Sequence, residues 1–132
     1  MSLPDLSKEF VLRSDASEKG MGAVLLQEKE GNLFPIAYAS KKFNKAQCAY
    51  SVTEKECLAI VWAIQKFQTF LYGNEFTIQT DHQPLSCIKK SKIANGRLLR
   101  WALILQPYRY RIEVIRGKHN IGADYMSRSE ES

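Results

Sequence analysis

Cysteine is scarce in this chain of 132 residues: Cys48, Cys57 and Cys87 are its three, and no two form a C-x-x-C pair. An odd count without that pairing supports neither a zinc site nor a disulfide framework, so a reducing, intracellular setting is expected. Long apolar runs are missing as well. The longest aliphatic and aromatic stretch, Leu58–Ile64, is seven residues, against about 20 for a membrane-spanning helix. The opening Met1-Ser2-Leu3-Pro4-Asp5 shows no basic segment followed by an apolar one; the expectation is a chain that is not secreted and meets no membrane. There are only 7 glycines and 4 prolines, and no internal repeat, which argues against collagen-like or low-complexity architecture.

What remains is an ordinary folding composition, 45% hydrophobic and 25% charged, at a length suited to one domain. The expected domain spans 1–132, with a core at about 8–128 and a polar tail, Ser129-Glu130-Glu131-Ser132, that is disordered. Strands are predicted at 10–14, 21–27 and 33–39, with a turn at 16–20 and a hairpin signal at Gly31-Asn32. Then the period changes. Cys57, Ile60, Val61, Ile64, Phe67 and Leu71 lie on one helical stripe, predicting a helix over 53–72 that stops at Gly73-Asn74. A strand at 76–80, short helices at 84–90 and 98–105, a strand at 108–115 and a last helix at 120–128 complete the order βββ-α-β-α-α-β-α. That is a mixed α/β domain: a hairpin meander first, parallel crossovers after it.

Four acids fall at the ends of these elements. Asp15 closes the first strand and Asp81 the fourth, where α/β sheets bind ligands. Glu56 lies early in the long helix on the stripe of Ile60, Ala63 and Phe67, and Asp124 lies near the start of the last helix. Clustered carboxylates repel unless a cation sits among them, and all-oxygen ligation selects Mg²⁺ or Mn²⁺ over zinc. Each acid also has a plainer reading. Asp15 can open the Asp-Ala-Ser turn, Asp81 can end a strand, and Asp124 can complement a helix N-terminus. Glu56 can close a capping box with Thr53, although Ser51 with Glu54 forms a second box that would leave Glu56 to face the sheet. The net charge is +5; setting the four acids aside leaves 10 acidic residues against 19 basic, a net +9. An acidic cluster in a basic domain suits metal-assisted chemistry on a phosphodiester.

Four strings carry a more specific signal: Asp15-Ala16-Ser17…Gly20-x-Gly22-Ala23-Val24-Leu25, Tyr50-Ser51-x-Thr53-Glu54-Lys55-Glu56-Cys57-Leu58-Ala59, Thr80-Asp81-His82-Gln83-Pro84-Leu85 and Asn120-x-x-Ala123-Asp124-x-x-Ser127-Arg128. Together they resemble the ribonuclease H domain of retrotransposon reverse transcriptases, in the form found in gypsy-type LTR elements. The resemblance runs from about Phe10 to Arg128. It implies the ribonuclease H-like fold, an α/β architecture with a five-stranded mixed sheet, three antiparallel strands then two parallel ones, flanked by helices. It implies that Asp15, Glu56, Asp81 and Asp124 are the catalytic, metal-binding tetrad holding two Mg²⁺, with Mn²⁺ as a substitute. It further implies hydrolysis of the RNA strand of RNA/DNA hybrids to 5′-phosphate and 3′-hydroxyl products, during reverse transcription in a cytoplasmic virus-like particle or reverse-transcription complex. Its expected partners are the hybrid and the polymerase domain of the same Pol polyprotein.

The chain departs from the wider family in two places. A histidine loop usually precedes the last aspartate by about ten residues, but that position is Val114, inside a predicted strand; His119 and His82 are left as possible accessory residues, or as turn histidines. The extra basic helix-and-loop of some relatives is missing after Asp81, so hybrid contacts are expected from Lys89, Lys90, Arg97 and Arg100, with Trp101 in the core beside Leu98 and Leu105. The competing reading is a catalytically weak or inactive, domesticated or connection-like domain that packs on a polymerase or binds nucleic acid. An integrase-type core is disfavoured because the glutamate here comes second, not last.

Overall fold

The computed structural model describes residues 8–80 and 96–115. The predicted helices at 84–90 and 120–128 and the tail at 129–132 lie outside them. Within them the chain runs β1 (Phe10–Ala16), β2 (Gly20–Lys29), β3 (Asn32–Lys42), α1 (Lys45–Cys48), α2 (Val52–Lys66), α3 (Gln68–Leu71), β4 (Glu75–Thr80), α4 (Gly96–Leu105) and β5 (Arg109–Val114). The five strands form one sheet in the order β3-β2-β1-β4-β5. The pairs β1–β2 and β2–β3 are antiparallel, while β1–β4 and β4–β5 are parallel. This is the mixed sheet that the sequence predicts.

Side chains alternate across a strand, and β1 shows which face is the core. Phe10, Leu12 and Ser14 are buried, whereas Val11, Arg13 and Asp15 are half-buried on the opposite face. The buried set meets Met21, Ala23 and Leu25 of β2, Phe76 and Ile78 of β4, and the α2 stripe of Cys57, Ile60, Val61 and Ile64. Leu98, Trp101 and Leu105 of α4 join the same core, as their helical spacing predicts.

The differences from the sequence reading are local. The turn of the β2–β3 hairpin centres on Glu30-Gly31 rather than Gly31-Asn32. Both residues have positive φ, 55° and 83°, the signature of a two-residue turn whose twist matches the strands. That turn lets the ladder continue to the Lys29–Asn32 pair, so both strands are longer than predicted. β3 is an edge strand, and its register shifts opposite Leu25/Leu26, beside Pro35; an edge or a bulge is where proline is tolerated. The predicted helix at 53–72 is two helices, because Phe67 leaves helical geometry (φ −104°, ψ 24°) with its side chain in the core. Gly73, at φ 82°, ends the second.

Candidate active site

Asp15 lies next to a tight turn built on Ser17. Asp15 is a strand residue paired with Gly22, and the following turn is closed by Ser17. The Ser17 N–H donates to the Gly20 carbonyl at 2.8 Å, while its Oγ accepts from the Gly20 N–H at 3.1 Å. A serine hydroxyl of this kind supplements backbone pairing in tight turns.

The capping ambiguity at Glu56 is settled. Ser51 is the N-cap of α2: its Oγ accepts from the Glu54 N–H at 3.1 Å, and Glu54 Oε1 accepts from the Ser51 N–H at 3.0 Å. This reciprocal box satisfies two of the helix's otherwise unpaired donors. Glu54 is held below its ordinary pKa, first by the bond from the Ser51 backbone and then by Arg97, against the opposing pull of burial. Glu56 is therefore not the capping residue. It stands half-buried in the second turn, next to fully buried Cys57.

Asp15 and Glu56 belong to the same end of the sheet. The Lys55 ammonium donates to the Glu18 carbonyl at 3.1 Å, tying the start of α2 to the turn that follows Asp15. A shallow groove of about 220 Å³ between these elements is lined by Ala16, Ser17, Glu18, Val52 and Lys55. β4 runs parallel to β1, so its last residue, Thr80, reaches that end too; Ile115 donates its N–H to the Thr80 carbonyl at 2.8 Å. Asp81, which follows Thr80 in sequence, lies outside the described residues, as do His82, Lys89, Lys90, His119 and Asp124. Among the described residues no group of three His, Cys, Asp or Glu side chains could hold a metal ion. Asp15 and Glu56 are oxygen donors of the kind that Mg²⁺ takes.

The surroundings are basic. Lys19, Lys41, Lys42 and Lys45 are exposed, and the Phe43 N–H donates to the Lys19 carbonyl at 2.8 Å, binding the end of β3 to the β1–β2 turn. Lys55 also lies 5.7 Å above the Phe43 ring. Of the predicted hybrid contacts, Arg100 is exposed on α4. Arg97 is tied to other protein groups: it donates to Glu54 Oε2 at 2.6 Å and lies 3.8 Å above the Tyr50 ring. The sequence reading missed both this clamp and Lys55, whose partners are 43 and 37 residues away. It also missed a polar ladder on the second face, where Arg13 donates to Gln79 at 2.6 Å and Gln79 to Glu113 at 2.8 Å. Burial pulls the Arg13 guanidinium below its ordinary pKa, and Glu113 opposes that pull.

Comparison with known proteins places this geometry in context. Residues 5–108 match the model of the RNase H-like domain found in reverse transcriptase. The chain is 42% identical over 128 residues to the retrovirus-related Pol polyprotein from transposon 412 of Drosophila melanogaster, covering 97% of this chain and 10% of that protein. It is 40% identical over 129 residues to the Pol polyprotein from transposon gypsy of the same organism, covering 97% and 12%. The chain thus spans about a tenth of the length of these relatives. Among solved structures, LC11-RNase H1 in complex with RNA/DNA hybrid superposes with a TM-score of 0.64 at 16% identity, over 94% of this chain and 100% of that one; at that identity the likeness concerns the fold.

Proposed function

Since the chain belongs to the family of RNase H-like domains found in reverse transcriptase, we propose that it is a metal-dependent endonuclease acting on the RNA strand of RNA/DNA hybrids during reverse transcription. The observation that carries this reading is the pair Asp15 and Glu56: two half-buried carboxylates at one end of the sheet, with the capping of α2 assigned to Glu54 and the turn after β1 assigned to Ser17. Both stand on regular elements, Asp15 in β1 and Glu56 in the second turn of α2. In the proposed site Asp81 and Asp124 complete the tetrad, and the four together hold two Mg²⁺ ions, or Mn²⁺. When bound, such ions supply an activated water and stabilise charge on the leaving oxygen.

The chain's own contribution is placement. β1 and α2 hold their carboxylates on rigid elements rather than loops, which favours a precise ligand geometry. The exposed lysines at 19, 41, 42 and 45 offer cations to a phosphodiester backbone, a contact that positions without reading sequence. The relatives being Pol polyproteins, the proposed partners are the hybrid and the adjoining polymerase domain, in a cytoplasmic virus-like particle or reverse-transcription complex. No helix among the described residues is long and apolar enough to cross a membrane.

The test is cleavage of an end-labelled RNA strand annealed to DNA, with Mg²⁺ or Mn²⁺, beside Asp81→Asn. Metal-dependent cutting of the hybrid, lost in the variant and absent on duplex DNA, is the expected result. Absence of cutting both by this chain and by the chain joined to its polymerase portion would overturn the reading in favour of a binding-only domain.

A further inference from the structure

Two attachments and a buried neighbour surround Glu56. Glu54 is bound to Arg97 of α4, Lys55 to the Glu18 carbonyl, and Cys57 is fully buried in the core. The Glu54 carboxylate is divided between two tasks: Oε1 closes the capping box on Ser51, and Oε2 takes the Arg97 guanidinium. Arg97 also stacks over Tyr50, the residue before the N-cap, and Tyr50 meets Trp101, one turn further along α4, with ring centroids 6.2 Å apart. One turn of α4 therefore grips both sides of the α2 N-terminus. The ion pair is partly shielded, with the Arg97 and Glu54 side chains 35% and 24% exposed, so solvent screens it less than an open surface pair.

A capping box closes a helical turn on itself but does not attach it to anything else, and first turns are where helices fray. The Arg97 clamp supplies an attachment. A phosphate reaching Arg97 would have to compete with a carboxylate at 2.6 Å and with the stacked ring. Resting on the metal-site reading above, we infer that Arg97 is a positioning residue, which clamps Glu54 and Tyr50 to α4 and so holds Glu56 where it can ligate a divalent cation. Groups that orient a metal ligand change affinity by about 10- to 100-fold when removed. Arginine is suited to the task because its planar fork can stack on an aromatic ring and pair with a carboxylate at once, which lysine cannot reproduce.

The experiment uses the whole chain with Mn²⁺ as probe, free ion being followed by electron paramagnetic resonance, and compares Arg97→Ala, Arg97→Lys, Glu54→Gln and the Arg97→Ala/Glu54→Gln double variant. Glu54→Gln keeps the capping box and loses the ion pair. In parallel, RNA/DNA hybrid binding without divalent metal is titrated against salt. Mn²⁺ binding is expected to weaken about 10-fold in Arg97→Ala and in Glu54→Gln, with the double variant no worse than either and Arg97→Lys recovering part of the loss. The salt slope of hybrid binding stays unchanged. If Mn²⁺ affinity holds in Arg97→Ala while the salt slope falls by about 0.9, Arg97 is a phosphate contact and the inference is overturned. Where alanine unfolds the chain, Arg97→Lys carries the test, with wild-type Mn²⁺ affinity as the overturning result. Mn²⁺ binding lost in Glu56→Gln but kept in Arg97→Ala overturns the clamp alone; binding indifferent to Glu56→Gln overturns the metal reading and the clamp with it.

Discussion

Arg13 and Gln79 are 66 residues apart in sequence and joined at 2.6 Å, from one parallel strand to the next on the face turned away from α2. Gln79 passes the contact on to Glu113 of β5, so a neutral amide spaces a cation from an anion across three strands. Gln79→Ala should leave a half-buried guanidinium without its acceptor and destabilise the fold by about 1.5–2 kcal/mol. Glu113→Ala, at an exposed position, should cost less. Urea denaturation of both variants reads the ranking, and equal losses would refute it.

Asp15→Asn and Glu56→Gln should each lower metal-dependent hybrid cleavage by more than about 100-fold, since removing a metal ligand exceeds the loss from removing its orienting neighbour. Both variants should still unfold cooperatively without metal, because each substitution keeps the shape of the side chain. Cleavage rates paired with thermal unfolding in EDTA separate the two effects. A variant that loses activity only because it unfolds contradicts the assignment.

The direction of the Glu54 shift sets a pH dependence. Its folded pKa lies below the ordinary 4.5 because the ionised form accepts from Ser51 and Arg97. Proton linkage then makes its stabilisation fully present above the ordinary value and progressively lost as pH falls through the lower, folded value. The stability gap between wild type and Glu54→Gln should therefore be constant from pH 7 to 6 and close as the pH falls below the ordinary 4.5 and through the lower, folded value. Denaturation midpoints across that range test it; a gap that widens on acidification would reverse the sign.

The Glu30-Gly31 turn offers a check on the backbone alone. Gly31 sits at φ 83°, with open space where the methyl group of an alanine would stand, so Gly31→Ala should cost about 1 kcal/mol through conformation rather than collision. Glu30, at φ 55°, is not the preferred residue there; Glu30→Asn should stabilise by a few tenths of a kcal/mol, about 0.5 at most. Thermal midpoints moving in opposite directions would establish both.

Much of this architecture was legible in the amino-acid order because it is encoded by local period. The alternation in β5, where Tyr110 and Ile112 are half-buried between exposed Arg109, Arg111 and Glu113, and the stripe from Cys57 to Ile64 are each visible within a dozen residues. Short pieces escaped. α1 carries a capping box, Asn44 with Gln47, at 2.8 and 3.0 Å, but a helix of four residues has no period to detect. The break at Phe67 escaped as well, since an aromatic residue on the helical stripe looks the same whether or not the helix continues beneath it.

Of the proposed site, the sequence by itself determined the residue types, their order and the elements that would carry Asp15 and Glu56. It left two capping boxes equally possible and Arg97 free to contact a hybrid. Only the tertiary structure decided between the two boxes and set Arg97 against Glu54 and Tyr50. The choice of Ser51 with Glu54 goes together with an arginine 43 residues further on, and the placement of Lys55 depends on a carbonyl 37 residues before it. Helical period and turn chemistry act over a few bonds and leave a mark in the neighbouring residues. An ion pair between distant segments leaves none, because its energy exists only after the chain path has brought the partners together.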